Sequence, residues 1–404
     1  MASTVIVGSG IIGIATAFYL ADHQRGSTIH LVDSSSQLYA SASGYAGGFI
    51  ARDWFSPQLA SLGALSFAEH EKLAELYNGR ENWAYAKSVT VNYEPPKRRV
   101  DTRGGDDWLA EGTSRTDLVT ERGEVKDRSV PPWLRRVEGD TISAVDDGQG
   151  TAVLDPLRLC QLLLKKCREA GVQIHHPATV LSVGADAHDE LSHVRIGYTD
   201  SSSETEIPAT RVLICAGCWT PQVLDSMFPG SSVRIPVMSL AGHSIVVRNP
   251  AQLDDVFHSV YCSLDTFSPE VYARPNGDIW LGGVNTANTP LPLLATGART
   301  ADAPLEELKA TARLLIRSEG ELEVVRAGVC FRPVTRRGTP YIARIMDDDL
   351  RQGYRTRGGQ QGGVFVATGH GPWGISLSLG TGKVMAEMMQ SRELSADISA
   401  LGYL

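Results

Sequence analysis

Six residues near the start, Gly8-Ser9-Gly10-Ile11-Ile12-Gly13, constrain the fold of this 404-residue chain more than any other feature. The spacing Gly-x-Gly-x-x-Gly allows a tight turn at the first glycine, close approach to a pyrophosphate at the second, and tight helix–strand packing at the third. An apolar run, Thr4-Val5-Ile6-Val7, leads into it, and Ile11 to Ala21 is mostly apolar over a helical length. A second apolar run, Ile29-His30-Leu31-Val32, ends in Asp33-Ser34, at the distance where a carboxylate can accept hydrogen bonds from ribose hydroxyls. Together these predict a βαβ unit that binds a dinucleotide at the N-terminus of its first helix. The glycines alone do not separate NAD from FAD.

Beyond that unit the pattern is mixed. Tyr39 to Gly48 is rich in Ala, Ser and Gly, and Leu62 to Tyr77 has the periodicity of an amphipathic helix. Lys97 to Asp147 is polar, is punctuated by Gly104-Gly105 and Pro131-Pro132, and reads as loops and short elements. Asp155 is a candidate N-cap with Pro156 at the first helical position, and Gly171 closes that helix. Strands follow at Val172 to His175, Thr179 to Val183 and Val212 to Ile214. Others are expected at His243 to Val247 and Asp278 to Leu281, with a charged helix around Leu305 to Arg317. A last strand, Val364 to Ala367, a glycine-rich loop and a helix to about Gln390 end the pattern. Gly380 and Gly382 inside that helix point to close packing against a ligand or against backbone. The expectation is an α/β chain: a discontinuous dinucleotide-binding domain from 1–50, 150–220 and 326–404, and a mixed-sheet substrate domain from 51–149 and 221–325.

Composition removes several function classes. With 42% hydrophobic and 21% charged residues the chain can build a core, and its formal charge of -8 with only short basic runs (Lys97-Arg98-Arg99, Arg336-Arg337) argues against a nucleic-acid partner. No segment approaches 18 consecutive apolar residues, so no membrane span is expected, nor is a secretory signal. Six cysteines without framework spacing fit a reducing compartment, taken as the cytoplasm, since Gly402-Tyr403-Leu404 is not a peroxisomal address. No metal site is expected: Cys215-x-x-Cys218 follows a buried strand with no second ligand pair, and His175-His176 has no third ligand nearby. Monomer or weak homo-oligomer is the expected state.

The opening fingerprint, Ala42-Ser43-Gly44, Ala216-Gly217-Cys218-Trp219, Arg332-Pro333 and Gly369-His370-Gly371-Pro372-Trp373-Gly374-Ile375 resemble, in that order, the motifs of the D-amino acid oxidase and sarcosine oxidase superfamily. Ala42 to Phe49 and the tail from Trp373 to Glu387 look most like a fungal branch of FAD-dependent oxidoreductases of undefined substrate. The resemblance implies FAD in a glutathione-reductase-like, Rossmann-type domain. It places Gly8, Gly10, Ile11, Ile12, Gly13, Asp33 and Ser34 around the adenosine and pyrophosphate. Ser41, Ser43, Gly44, Gly47, Gly48, Ala216, Gly217 and Trp219 fall along the pyrophosphate or flavin edge, and the backbone of Val180 falls against adenine. Gly371, Trp373, Gly374 and Ile375 form a loop whose N–H groups face an anionic reduced flavin.

Cys330 sits where the sarcosine oxidase and fructosyl amine oxidase branches join a cysteine to the flavin by a thioether; the alternative is a buried free cysteine. Arg332 matches the arginine that pairs with a substrate carboxylate in D-amino acid oxidases, although the sarcosine oxidase pattern lacks arginine there. Tyr272 and Arg274 fall where substrate-contacting residues lie. Trp280 stands at the position where sarcosine oxidases carry a lysine that assists oxygen reduction. If oxygen is the acceptor, Arg52, His243, Arg274 or His370 would have to supply the positive charge.

The function implied is oxidation of a carbon–nitrogen bond in a small amine or amino-acid-like molecule, by hydride transfer to flavin N5 with oxygen as acceptor. Two alternatives stay open: a tailoring oxidase or dehydrogenase acting on a larger cyclic secondary metabolite, and an FAD-holding interaction protein without turnover.

Overall fold

The computed structural model describes residues 2–96, 130–249, 255–264, 267–350 and 354–403. The basic run at Lys97 and the Gly104-Gly105 turn lie outside the described residues. A six-stranded sheet has Thr4–Val7 near its centre, with Ile29–Val32 and then Gln173–His175 on one side, and Arg211–Ile214, Gly363–Thr368 and Tyr341–Ile345 on the other. All pairings are parallel except that of the last strand. A parallel sheet is covered on both faces, which is why its central strands read as unbroken apolar runs. On one face Ile6, Leu31, Leu213 and Phe365 pack under the helices Ile11–Leu20 and Ser378–Met389. On the other, Val5, Val32, Val212 and Val364 pack beneath the helix Thr220–Met227 and a three-stranded antiparallel sheet, Ala178–Ala185, Leu191–Tyr198 and Glu204–Pro208.

A second sheet of nine strands runs Val324–Val334, Met238–Arg248, Asp278–Thr286, Glu270–Ala273, Phe257–Cys262, Ala86–Glu94, Thr151–Val153 and Phe49–Ala51, with Thr141–Asp146 also paired to Ala86–Glu94. One face packs against the helix Asp302–Leu315 through Leu308, Ala312 and Leu315. The other face turns toward the first sheet. Thus the strand Val324–Val334 hydrogen-bonds along Met238–Arg248 in the large sheet, although sequence position groups most of it with the dinucleotide half.

Local signals explain several element ends. The Asp155 carboxylate accepts from the N–H groups of Leu157 and Arg158, capping the helix Pro156–Glu169. The amphipathic helix expected from Leu62 begins earlier, spanning Pro57–Leu76, because Pro57 fits the first helical turn. Gly380 and Gly382 resolve as packing residues: added Cβ atoms would meet Ser66 Cβ at 2.9 Å and the backbone of Ala15 at 2.6 Å. The helix they occupy is thereby wedged against its two neighbours.

Candidate active site

The turn after the first strand is built as its glycines predict. Gly8 has φ +106°, and a Cβ there would lie 2.7 Å from the carbonyl oxygen of Cys215; a Cβ on Gly13 would overlap the carbonyl of Gly8. The Ser43 hydroxyl accepts from the Ile11 N–H at 2.9 Å, so the small-residue stretch docks on the first turn of the helix. Asp33 accepts from the N–H groups of Ser9 (2.8 Å) and Ser35 (2.9 Å), and burial pushes its carboxyl above the usual range.

A cavity of about 780 Å³ extends from this turn to the large sheet. At one end it is lined by Gly8, Gly10, Ile11, Ile12, Asp33 and Ser34, with Val180 beside them. Ser41, Ser43, Ala216, Gly217 and Trp219 line its middle. Toward the large sheet come Gly47, Gly48, Tyr272, Trp280, Cys330 and Arg332, and the C-terminal loop adds His370, Gly371, Gly374 and Ile375. Gly217 and Gly371 both have φ +54°, and the space beside each Cα is open, with nothing nearer than Val334 Cγ1 at 3.8 Å from an added Cβ on Gly371. Their backbones can therefore approach a ligand closely.

Four expected residues are not brought into the lining. Gly13 and Gly44 are packing glycines, a Cβ on the latter overlapping the Tyr39 carbonyl. Trp373 packs edge-on against Phe55, ring centroids 4.9 Å apart. Arg274 lies behind the wall, 1% exposed, donating to the Gly47 carbonyl at 2.6 Å and 3.7 Å from the Asp155 carboxylate. Burial pulls its guanidinium down to about 10.

The cavity-facing side of the large sheet follows from register. Cys330 sits opposite Gly242, Ser244 lies between Gly328 and Gly282, Glu270 is opposite Gly282, and Tyr272 is opposite Trp280. A Cβ at Gly242, Gly282 or Gly328 would overlap the Arg332 guanidinium, the Trp280 ring or the Tyr45 ring. The three glycines thus let large side chains lie across the sheet. Arg332 donates to Asn285 Oδ1 at 2.6 Å, with no carboxylate within ion-pair distance among the described residues. Cys330 is buried, 3% exposed, and unoxidised.

None of the four cations considered for oxygen chemistry presents charge to the cavity. Arg52 pairs with Asp53 at 3.3 Å outside the lining. His243 is buried, and desolvation, then Arg332, pull its imidazole below the usual histidine range. His370 lines the wall but is lowered to about 3 by burial, with Nε2 3.2 Å from the Thr381 hydroxyl. Arg274 is withdrawn behind the wall. Sequence reading missed two groups. One is Glu270, two residues before Tyr272 and so on the same strand face, where strand alternation could have found it. The other is the loop Leu291 to Ala295, tied down by the Trp219 indole N–H donating to the Pro292 carbonyl at 2.8 Å.

Comparison with known proteins decides the family. The family described as FAD dependent oxidoreductase (DAO) matches residues 3–388. The chain belongs to the DAO family. This DAO-family oxidoreductase is 26% identical over 423 residues to an oxidoreductase of Schizosaccharomyces pombe, covering 98% of this chain and 96% of that one. It is 22% identical to the glycine oxidase of Bacillus subtilis, covering 97% and 94%. Its fold matches the crystal structure of glycine oxidase from Geobacillus kaustophilus with a TM-score of 0.73 at 20% identity, covering 100% and 98% of the two chains. L-proline dehydrogenase from P. horikoshii gives 0.73 at 14% identity, covering 99% and 96%.

Proposed function

We propose that this DAO-family enzyme oxidises the carbon–nitrogen bond of a small amino-acid-like molecule, with FAD extended along the cavity. Asp33 and the backbone at Val180 would hold the adenosine, and Ser41, Ser43 and the helix at Ile11 the pyrophosphate. Cys330, Gly374 and Ile375 would flank the flavin, which supplies the hydride acceptor. The observation that carries this reading is Arg332: a guanidinium in the cavity wall, oriented by Asn285, with no carboxylate partner among the described residues. Such a group binds a substrate carboxylate bidentately.

Oxygen as the final acceptor rests on the resemblance alone; Arg332 is the one Lys or Arg among the described lining residues, which argues for a slow reaction with oxygen. The first test is an absorbance spectrum followed by acid precipitation. Flavin kept in the pellet by the natural protein and released by Cys330→Ala establishes a thioether; flavin released from both leaves FAD non-covalent. No flavin bands after reconstitution with FAD overturns the reading.

A second reading, a larger and partly apolar cyclic amine, is favoured by the rim. Leu291, Leu293 and Leu294 line the cavity, and Leu293 is 90% exposed. Turnover of cyclic secondary amines above simple amino acids would select it.

A further inference from the structure

Arg332 reaches its partner across a whole strand. It stands on Val324–Val334, and its guanidinium lies over Gly242 of the next strand, Met238–Arg248, where an added Cβ would sit 2.5 Å from Cζ. From there it donates to Asn285 Oδ1 at 2.6 Å, on the third strand, Asp278–Thr286, where Asn285 is the register partner of Gly242. Arginine only donates hydrogen bonds, so it is the amide oxygen of Asn285 that faces the guanidinium.

Asn285 is on that face because of a bulge. Trp280 lines the cavity, and plain alternation from it would put Gly282, Val284 and Thr286 on the cavity face and turn Asn285 away. Instead Ser244 pairs with Gly282 and His243 with Val284, so Gly283 is an extra residue in the ladder and the alternation is reversed after it. Gly283 has φ +128°, and a Cβ there would lie 2.8 Å from the Ser268 carbonyl oxygen, so the bulge demands glycine.

We propose that Asn285 is a positioning residue that presets Arg332 for an external carboxylate, and that its neutrality makes the cavity select anionic over neutral ligands. The inference rests on the reading of Arg332 as the carboxylate-binding group, given above. A carboxylate at position 285 would hold the guanidinium as firmly, but it would also compensate the charge and fill the seat from within. An amide oxygen fixes the direction of the guanidinium and leaves its positive charge to the ligand. Gly242 completes the device, since the open space over its Cα lets the side chain lie across the middle strand and still line the cavity.

The experiment is a calorimetric titration of the FAD-loaded protein with propionate and with its uncharged analogue propionamide. The natural protein is expected to prefer propionate, and Arg332→Met to lose that preference. Asn285→Asp is expected to weaken propionate by about tenfold or more and to leave propionamide within about twofold. Asn285→Ala, which loses the orientation but adds no competing charge, weakens propionate by less, about threefold to tenfold. Gly242→Ala, which closes the space under the guanidinium, also weakens propionate and spares propionamide. A contact that served only the fold would rank the two Asn285 variants the other way, because aspartate matches asparagine in shape and still accepts the hydrogen bond. Propionate binding by Asn285→Asp that equals or exceeds that of Asn285→Ala therefore overturns the proposal, as does equal loss of both probes. If Arg332→Met abolishes propionate binding and neither Asn285 variant changes it, this inference falls and the carboxylate reading stands. Propionate bound equally with and without Arg332, or not bound at all, sinks the carboxylate reading and this inference with it.

Discussion

Tyr272 and Trp280 stack face to face with ring centroids 5.2 Å apart and planes 7° from parallel, and Gly47 lies against both rings. A Cβ on Gly47 would fall 2.5 Å from Tyr272 Cε2 and 2.9 Å from Trp280 Cζ3. The stack therefore sets how closely the segment 47–48 approaches the large sheet, and with it the width of the cavity.

Gly47→Ala is expected to displace the stack or the segment, at a cost of about 1–3 kcal/mol for overpacking. The flavin content of purified Gly47→Ala, from the ratio of visible to ultraviolet absorbance, should drop well below that of the natural protein. Full flavin content with an unchanged melting temperature contradicts this account of Gly47.

Arg274 ties that same segment to a helix cap, since it reaches both the Gly47 carbonyl and the Asp155 carboxylate. Removing one partner of a buried pair strands the other, at a typical cost of about 3–5 kcal/mol. Arg274→Met should lose stability on that scale in urea, with the loss read as a lower transition midpoint. A loss under about 1 kcal/mol, the range of an exposed pair, would show that the contact is solvated.

Stability against acid should carry the signature of two buried histidines. The Nε2 of His70 lies 3.0 Å from the Ile375 carbonyl, and burial lowers it to about 4 against the opposing pull of that carbonyl and of Glu69. His370 is lowered to about 3. Each binds its proton less readily folded than unfolded, so between pH 6.5 and those values the unfolded chain holds more protons and stability falls as pH drops. Each unit of lowering is worth about 1.4 kcal/mol at the limit of full titration. The melting temperature should decline below pH 6.5, and His70→Gln should flatten that decline. An acid limb of equal slope in the variant removes His70 as its source.

How far the sequence carried these features depends on range. The turn from Gly8 to Gly13, Asp33 and the cap at Asp155 are set by neighbours within one βαβ unit or one helical turn, and spacing reveals them. Arg274, which reaches Gly47 across 227 residues, and Val324–Val334, which pairs along Met238–Arg248 in the large sheet, depend on distant partners and their register, and alternation alone cannot fix that. The motif resemblance placed Arg274 beside the substrate; the fold buries it, because just past the strand Glu270–Ala273 it reaches the Gly47 carbonyl and the helix-capping Asp155. Trp373 carries a motif yet packs on Phe55, since the turn Gly371–Trp373 rotates it toward the core.

Trp280 bears on the electron acceptor. With Arg332 as the one Lys or Arg among the described lining residues, reduced flavin should react slowly with oxygen, because developing superoxide has little positive charge to stabilise it. Trp280→Lys should speed reoxidation of the reduced protein by about tenfold or more, measured by mixing with aerated buffer. Fast reoxidation in the natural protein, unchanged by the substitution, would place oxygen activation elsewhere.

The central claim is tested most directly by mixing FAD-loaded protein, without oxygen, with matched amino acids and hydroxy acids and following the flavin's visible absorbance. The account predicts bleaching by molecules that carry both an amine and a carboxylate, and none by the hydroxy acids of the same carbon skeleton. Bleaching by the hydroxy acids, or by no amine in the set, would contradict it.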